Sequence, residues 1–341
     1  MTIGKNILIS RTDSIGDVVL TLPMAGLLKR NYPDSRVFFL GAEYTHAVVD
    51  CCKDVDRFVN WTELQSKPLP EQLTFLKSLQ IDTILHVFPN RDVASLAKIA
   101  RISNRVGTSH RIFHWTTCNR LVNFSRKKSL LHESQLNCML LQPFVENMPP
   151  ALGDMADYLN FQAPELSPEF AEIIDTKRFN LILHPKSKGS AREWGVENFA
   201  RLIELLPEER FKIFISGTQA EGDLVRDSLI NPYANRINDL TGKMPLSQLI
   251  AFIARCDALI AASTGPLHIA SACGVQAIGI YPPMRPIHPG RWMPIGKKVK
   301  VFVADKECSL CRKTPDRCQC MQSITPEEVK EFLERISLSN K

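Results

Sequence analysis

Four short loops hold the residues whose types and spacing could do chemistry. The first, Ser10-Arg11-Thr12-Asp13-Ser14-Ile15-Gly16-Asp17, leaves a short apolar run and enters a helical one. Asp17 follows a glycine at the helix start. It reads either as an acid that complements the helix dipole or as a general base taking the proton of an attacking hydroxyl. Asp13 reads as a turn or N-cap residue, or as a second carboxylate beside an acceptor. Arg11, at the strand tip, is either a surface arginine or a cation that orients an anionic acceptor or holds the aspartate ionised. Gly-x-Gly-x-x-Gly is absent, and a carboxylate at the loop mouth would repel a pyrophosphate. Both points argue against a nicotinamide-dependent oxidoreductase.

The other three loops suit an anion. Pro185-Lys186-Ser187-Lys188-Gly189-Ser190-Ala191-Arg192-Glu193-Trp194 gathers small, hydroxyl and basic residues before a helix near Val196. That is either an ordinary polar surface loop or a diphosphate cradle of N–H groups, hydroxyls and a cation. Ala262-Ser263-Thr264-Gly265-Pro266-Leu267-His268 follows an apolar strand and precedes a small-residue helix, so Thr264 and Gly265 would offer a hydroxyl and open backbone to phosphate. His268, one turn in, also reads as a packed core histidine. In Ile213-Phe214-Ile215-Ser216-Gly217-Thr218-Gln219-Ala220-Glu221, the acid is a first-turn helix residue or an acceptor for both ribose hydroxyls.

These loops need strand ends and helix starts to hold them. Asn6 to Ser10, Arg36 to Leu40 and Thr83 to Phe88 read as strands, and Val18 to Arg30 and Val93 to Ile102 as helices. The alternation predicts a mostly parallel, Rossmann-like first domain over 1–165. Residues 166–178 form a linker rich in acids and prolines. A second doubly wound domain follows over 179–323: Asn180 to His184, Phe211 to Ser216, Ala258 to Ala262 and Ala277 to Tyr281 are its strands, and Asn198 to Leu206, Leu246 to Arg255 and Leu267 to Cys273 its helices. The tail 324–341 holds a helix from Pro326 to Ile336 that is expected to cross back to the first domain. In such sheets ligands sit at the carboxyl ends of the strands, where all four loops lie.

The bulk numbers agree with this division. A chain of 341 residues with 44% apolar and 23% charged residues has room for two α/β cores and no disordered tract. The opening apolar run is too short for an export signal, and the uncharged stretch from Ala258 to Met284 is broken by Pro266, His268 and glycines, so it is not a membrane span. Ten cysteines without such a signal point to a reducing, cytoplasmic setting. The net charge of +6 is concentrated between Arg91 and Lys128, where Arg105, Arg111 and Arg120 are candidate acceptor-binding cations beside Phe113 and Trp115. This patch is a solvated face or a docking site for an acidic glycolipid. Nucleic acid is the weaker partner, because no recognisable binding module accompanies the charges. Cys308, Cys311, Cys318 and Cys320 are spaced C-x2-C-x6-C-x-C, either a zinc knuckle or buried or redox-active thiols.

Taken together, Ser14-Ile15-Gly16-Asp17-Val18, the His184-Pro185 loop reaching Arg192 and Trp194, and Ser263-Thr264-Gly265-Pro266-Leu267-His268 resemble glycosyltransferase family nine, the heptosyltransferases of the lipopolysaccharide inner core. The likeness spans nearly the whole chain. It implies a GT-B fold, with two Rossmann-like domains facing across a cleft, and inverting transfer of heptose from an ADP-sugar with no metal or cofactor. It further implies that Asp17 is the catalytic aspartate, that Lys186, Ser187 and Arg192 meet the donor diphosphate, that Glu221 meets the ribose, and that Ser263, Thr264, Gly265 and His268 form the second phosphate loop. The expected acceptor is an anionic glycolipid at the inner membrane leaflet. Many members carry Asp where this chain has Ser263, which bears on the sugar or base preferred. Arg285 to Trp292, with His288 and Arg291, follows the next strand and is a weaker candidate for shaping the donor site. The alternative on the same fold is a catalytically inactive nucleotide-sugar or glycan-binding protein.

Overall fold

The computed structural model of the chain describes residues 2–284, 287–304 and 320–339. The chain divides between Gln162 and Ala163 into two compact units. The first is built on β1 (Asn6–Ser10), β2 (Arg36–Gly41), β3 (Arg57–Asn60), β4 (Thr83–His86), β5 (Asn104–Thr108) and β6 (Arg120–Val122), ordered β3-β2-β1-β4-β5-β6. The second is built on β7 (Phe179–His184), β8 (Phe211–Ile215), β9 (Ile237–Asp239), β10 (Ala258–Ala261), β11 (Gln276–Tyr281) and β12 (Val299–Val303), ordered β12-β11-β10-β7-β8-β9. All the strand pairs are parallel. Each sheet therefore has the doubly wound order in which the chain reverses direction across the sheet after its third strand.

That reversal leaves a crevice beside the first strand of each unit. In the first it opens between β1 and β4, where Ser10 and His86 are register partners. In the second it opens between β7 and β10, where His184 and Ala261 are partners. The central strands are continuous apolar runs because both their faces are covered, as parallel sheets require. Every residue of β7 and β10 is buried.

The helical spacing from Val18 to Arg30 resolves into two helices, Ile15–Val19 and Pro23–Asn31. Pro23 has no N–H to give the preceding turn, and it opens the second helix. The final helix, Pro326–Ser339, read from the sequence as crossing back to the first domain, lies along the helix Val196–Leu205 within the second unit. Val329 and Leu333 enter that unit's core, the Trp194 indole donates to the Ile324 carbonyl at 2.8 Å, and Arg210 donates to the Ser337 hydroxyl at 2.7 Å. Its apolar stripe is used where it stands. The region read as a linker also carries a short helix, Pro168–Ala171.

Candidate functional site

At the crevice of the first unit, the chain leaves β1 through Arg11, whose N–H extends the ladder to the Leu40 carbonyl at 2.9 Å. Its side chain is 3% exposed, so a cation is buried at the strand end and needs partners. It has five. Nε and Nη2 grip Asp13 at 2.6 and 3.0 Å, Nη2 also donates to Asp17, and Nη1 donates to Glu133 at 3.1 Å and Asn137 at 3.2 Å. A guanidinium has five N–H groups, so all are committed to protein oxygens. Sequence reasoning left open whether Arg11 orients an anionic acceptor or holds the aspartate. The guanidinium has no donor left for an acceptor, and it holds the aspartates.

Asp17 stands in the first turn of Ile15–Val19, with 17% of its side chain exposed. Ser14 donates its hydroxyl to the second carboxylate oxygen, and Thr21 donates to the Asp17 carbonyl at 2.8 Å. The carboxylate is thus oriented from two sides yet still reaches solvent. Asp13 is held differently: burial pushes its carboxyl up from 3.8 to about 6, with Asp17 adding to the rise and Arg11 opposing it. For Arg11 burial works against the charge, but Asp17, Asp13 and Glu133 outweigh it and raise the guanidinium further.

Glu133, Asn137 and Arg126 are the parts of this site that sequence reading did not single out. Glu133 and Asn137 lie on the helix Glu133–Cys138, opened by a capping box of His132 and Gln135, and both are buried. Arg126 donates to Glu133 at 2.9 Å and to Asn137 at 2.8 Å. Asn137 also donates to the Leu20 carbonyl and the Thr21 hydroxyl, each at 3.1 Å, so it reaches the chain just after Asp17's helix.

Two of the proposed acceptor cations are not at this end of the sheet. Arg105 is the second residue of β5 and Arg120 the first of β6, towards the amino ends of their strands. At ~3.3 Å per residue, Arg105 lies ~10 Å below the carboxyl end of β5. Arg105 donates to the Thr117 carbonyl at 2.8 Å and to the Ile102 carbonyl, and Arg120 donates to Asn104 at 2.8 Å. Both brace the sheet. Arg111, in the loop after β5, is exposed, with Ile112 82% and Trp115 64% exposed beside it. Lys127 and Lys128 are exposed in the turn after β6.

In the second unit, the loop after β7 folds on itself. Glu193 accepts from Lys186 at 2.5 Å, from the Ser187 N–H at 2.9 Å and from the Ser187 hydroxyl at 3.0 Å. Lys188 and Gly189 turn with positive φ, and Arg192 is half-buried in the same loop. His184 shares a hydrogen bond with Ser216 at 3.0 Å, and burial lowers its imidazole pKa despite Glu221 and Glu193.

After β10, Thr264 caps the helix Gly265–Ala272 in extended conformation without a side-chain cap bond. Its buried hydroxyl has no hydrogen-bond partner among the described residues. No acid stands in this helix's first turn, so its opening N–H groups face no built-in anion. Ser263 hydrogen-bonds the buried Tyr281 phenol, and His268 is buried one turn into the helix. Since His184 pairs with Ala261, the loops after β7 and β10 start from adjacent strands, ~4.8 Å apart. Glu221 forms a capping box with Thr218, accepting from its N–H at 2.8 Å and its hydroxyl at 2.9 Å. Burial raises its pKa, but those bonds, with His184 and Lys188, win and lower it. One carboxylate oxygen is therefore occupied by the cap.

His288 precedes the short helix Pro289–Trp292 and Arg291 lies within it, and the Tyr281 hydroxyl donates to the Trp292 carbonyl at 2.7 Å. Arg285 lies outside the described residues, as do Cys308, Cys311 and Cys318 of the cysteine cluster. No group of three or more His, Cys, Asp or Glu side chains suited to a metal occurs among the described residues, and no described helix is long and apolar enough to cross a membrane.

Comparison with known proteins agrees with this architecture. Residues 75–322 match the model of glycosyltransferase family 9 (heptosyltransferase). A putative glycosyltransferase of Haemophilus influenzae is 26% identical over 321 residues, covering 90% of this chain and 89% of that protein. Among solved structures, a family 9 glycosyl transferase from Veillonella parvula superposes with a TM-score of 0.78 at 19% identity. The Escherichia coli ADP-heptose lps heptosyltransferase II superposes with 0.75 at 16% identity. Each of these two covers 99% of both chains.

Proposed function

Since the chain belongs to glycosyltransferase family 9, the heptosyltransferases, we propose that it moves a heptose from an ADP-sugar to a lipopolysaccharide-type acceptor, with Asp17 as general base. The second unit binds the donor, and the first binds the acceptor and supplies the base. An acceptor hydroxyl gives its proton to Asp17 while its oxygen attacks the anomeric carbon. The bond from that carbon to the diphosphate breaks on the opposite face, and ADP leaves with the electron pair. Charge growing on the diphosphate is met by Lys186, the Ser187 N–H and hydroxyl, Arg192, and the helix start at Thr264 and Gly265. His268 and Ser263 line the second loop, and Glu221 receives the ribose through the oxygen not taken by its cap.

The observation that carries this reading is the Thr264 hydroxyl: buried, without a partner among the described residues, and at an acid-free helix start beside the loop after β7. A buried hydroxyl left unbonded costs ~1–3 kcal/mol, a cost that a bound phosphate oxygen removes. The name of the E. coli relative, an ADP-heptose enzyme, supports ADP as the nucleotide. Exposed Ile112 and Trp115 beside Arg111, with Lys127 and Lys128, support an acceptor carried on an anionic lipid surface and a peripheral enzyme at the cytoplasmic leaflet.

The test is calorimetric titration with ADP of the intact protein and of Thr264→Val. The variant should melt no lower than the parent yet bind ADP ~10-fold more weakly, while Asp17→Asn should bind ADP normally and lose turnover. Equal ADP affinity in Thr264→Val, or full turnover in Asp17→Asn, would overturn the corresponding assignment.

A further inference from the structure

The commitment of all five Arg11 donors has a consequence for two residues that neither binding loop contains. We infer that Glu133 and Asn137 are positioning residues for the transfer reaction: through Arg11 they fix the direction of the Asp17 carboxylate. This rests on the reading of Asp17 as the base.

Arg11 is a flat fork whose two faces of hydrogen bonding point in different directions. Nη1 goes to Glu133 and Asn137 at 3.1 and 3.2 Å, whereas Nε and Nη2 go to Asp13 and Asp17. Because the guanidinium is planar, fixing Nη1 fixes where Nη2 points, and so where Asp17 is held. Glu133 is 1% exposed and Asn137 is fully buried, so this anchoring end is shut off from water and its bonds are not exchanged for solvent ones. Arg126 donates to the same two side chains and keeps Glu133 charge-balanced. Asn137 closes the loop mechanically. Its amide donates to Leu20 and Thr21, and Thr21 donates to the Asp17 carbonyl, so one residue ties both the cation and the backbone that carries the base.

The charges also require the arrangement. Asp13, Asp17 and Glu133 surround Arg11, with Arg126 as the second cation, so two guanidiniums stand against three carboxylates. Without Glu133, only the neutral Asn137 oxygen is left on the buried side, and no charge there pulls Arg11 away from Asp17. The fork can then swing into the crevice and cover the oxygen that must receive the proton. An error near 1 Å in such a group costs on the order of 100-fold in rate.

The experiment is a double-mutant cycle on the full chain, with heptosyl transfer from ADP-heptose read as kcat and donor KM, and thermal melting as a control. Glu133→Gln keeps the shape and one acceptor oxygen, and Glu133→Ala removes both. Expected are kcat losses of about 10-fold and about 100-fold, with donor KM unchanged within about twofold, because the donor loops lie in the other unit. In an Arg11→Lys background, which keeps the charge but forms no fork, Glu133→Gln should cost less than about twofold more, since it acts through a geometry already lost. Wild-type kcat in both Glu133 variants would overturn the inference. So would costs that multiply in the Arg11→Lys background, or activity losses that match the unfolded fraction. Asp17→Asn, assayed in parallel, separates the two levels: if it stays active, the base assignment itself is wrong; if it is dead while both Glu133 variants keep wild-type kcat, only the positioning role is.

Discussion

Asp13 should weaken the first unit at neutral pH, and Asp13→Asn should relieve it. The carboxyl sits beside the Arg11 fork at 2.6 and 3.0 Å, yet burial outweighs that pairing and lifts it from 3.8 to about 6. The sign follows. Between these two values the folded protein holds a proton that the unfolded chain has released, so stability is full below pH 3.8 and is lost as pH rises through about 6. At ~1.4 kcal/mol per pH unit, this rise corresponds to a ceiling of ~3 kcal/mol. Asp13 keeps 24% of its side chain exposed, and water there screens part of the effect. A loss of ~1–2 kcal/mol is therefore expected, or ~3–6 °C in Tm for a unit of this size. Asp13→Asn keeps an oxygen for Arg11 and cannot titrate. Melting the intact protein and the variant at pH 4.5 and pH 7.5 isolates the effect, because any pH-independent cost of the substitution cancels in the difference. About two-thirds of the loss falls between these two pH values, so the Tm of the variant relative to the parent should be ~2–4 °C higher at pH 7.5 than at pH 4.5. A relative Tm that is the same at both values, or lower at pH 7.5, would mean that Arg11 more than compensates the burial.

His86→Leu should raise Tm, and by more at pH 5 than at pH 8: burial, with His114 and Arg105, drives this imidazole down to about 3, so the parent loses stability as pH falls below the ordinary 6.5. Both ring nitrogens lack partners among the described residues, and a lower Tm for the leucine variant would refute that account. Gly26→Ala should cost ~2–3 kcal/mol, because a Cβ there would lie 2.1 Å from the Tyr158 carbonyl oxygen; an unchanged urea midpoint would refute it. Glu193→Gln should tighten ADP binding about fivefold, since it removes a carboxylate from the donors of Lys186 and Ser187, whereas weaker binding would assign Glu193 to holding the loop's shape.

How far the sequence reached depended on where the interactions lie along the chain. β1, β7, β10 and β11 were legible because strands covered on both faces are written as apolar runs. β3, β6 and β9, at three or four residues with polar positions, carry no such signature and follow from pairing with their neighbours. Asp17 and Thr264 could be picked out because strand, loop and helix start are consecutive in the chain. Glu133 and Asn137 could not: they reach Arg11 across 122 and 126 residues, from a six-residue helix with no periodic pattern to flag it. The basic stretch misled in another way. A count of charges does not say which end of a strand a residue occupies, and Arg105 and Arg120 brace the amino ends while Arg111 stands free in solvent.

The two units share one strand order, so topology alone does not decide which takes the donor. The decision lies in what each helix start already holds. In the first unit, the helix after β1 is five residues long, and its opening turn contains Asp17. Its weak dipole is met by its own carboxylate, with Asp13 and Glu133 nearby against two guanidiniums. A diphosphate arriving there would meet excess negative charge and a cation with no free donor. A hydroxyl about to lose its proton meets a favourable site. In the second unit, the helix after β10 opens with Thr264, Gly265 and Pro266, and has no acid in its first turn. Glu193, in the neighbouring loop, sits on donors that a phosphate could take over by exchange. On the proposed function, the same crevice would serve proton removal in one unit and anion binding in the other. The difference comes down to a few side chains at the carboxyl ends of β1, β7 and β10.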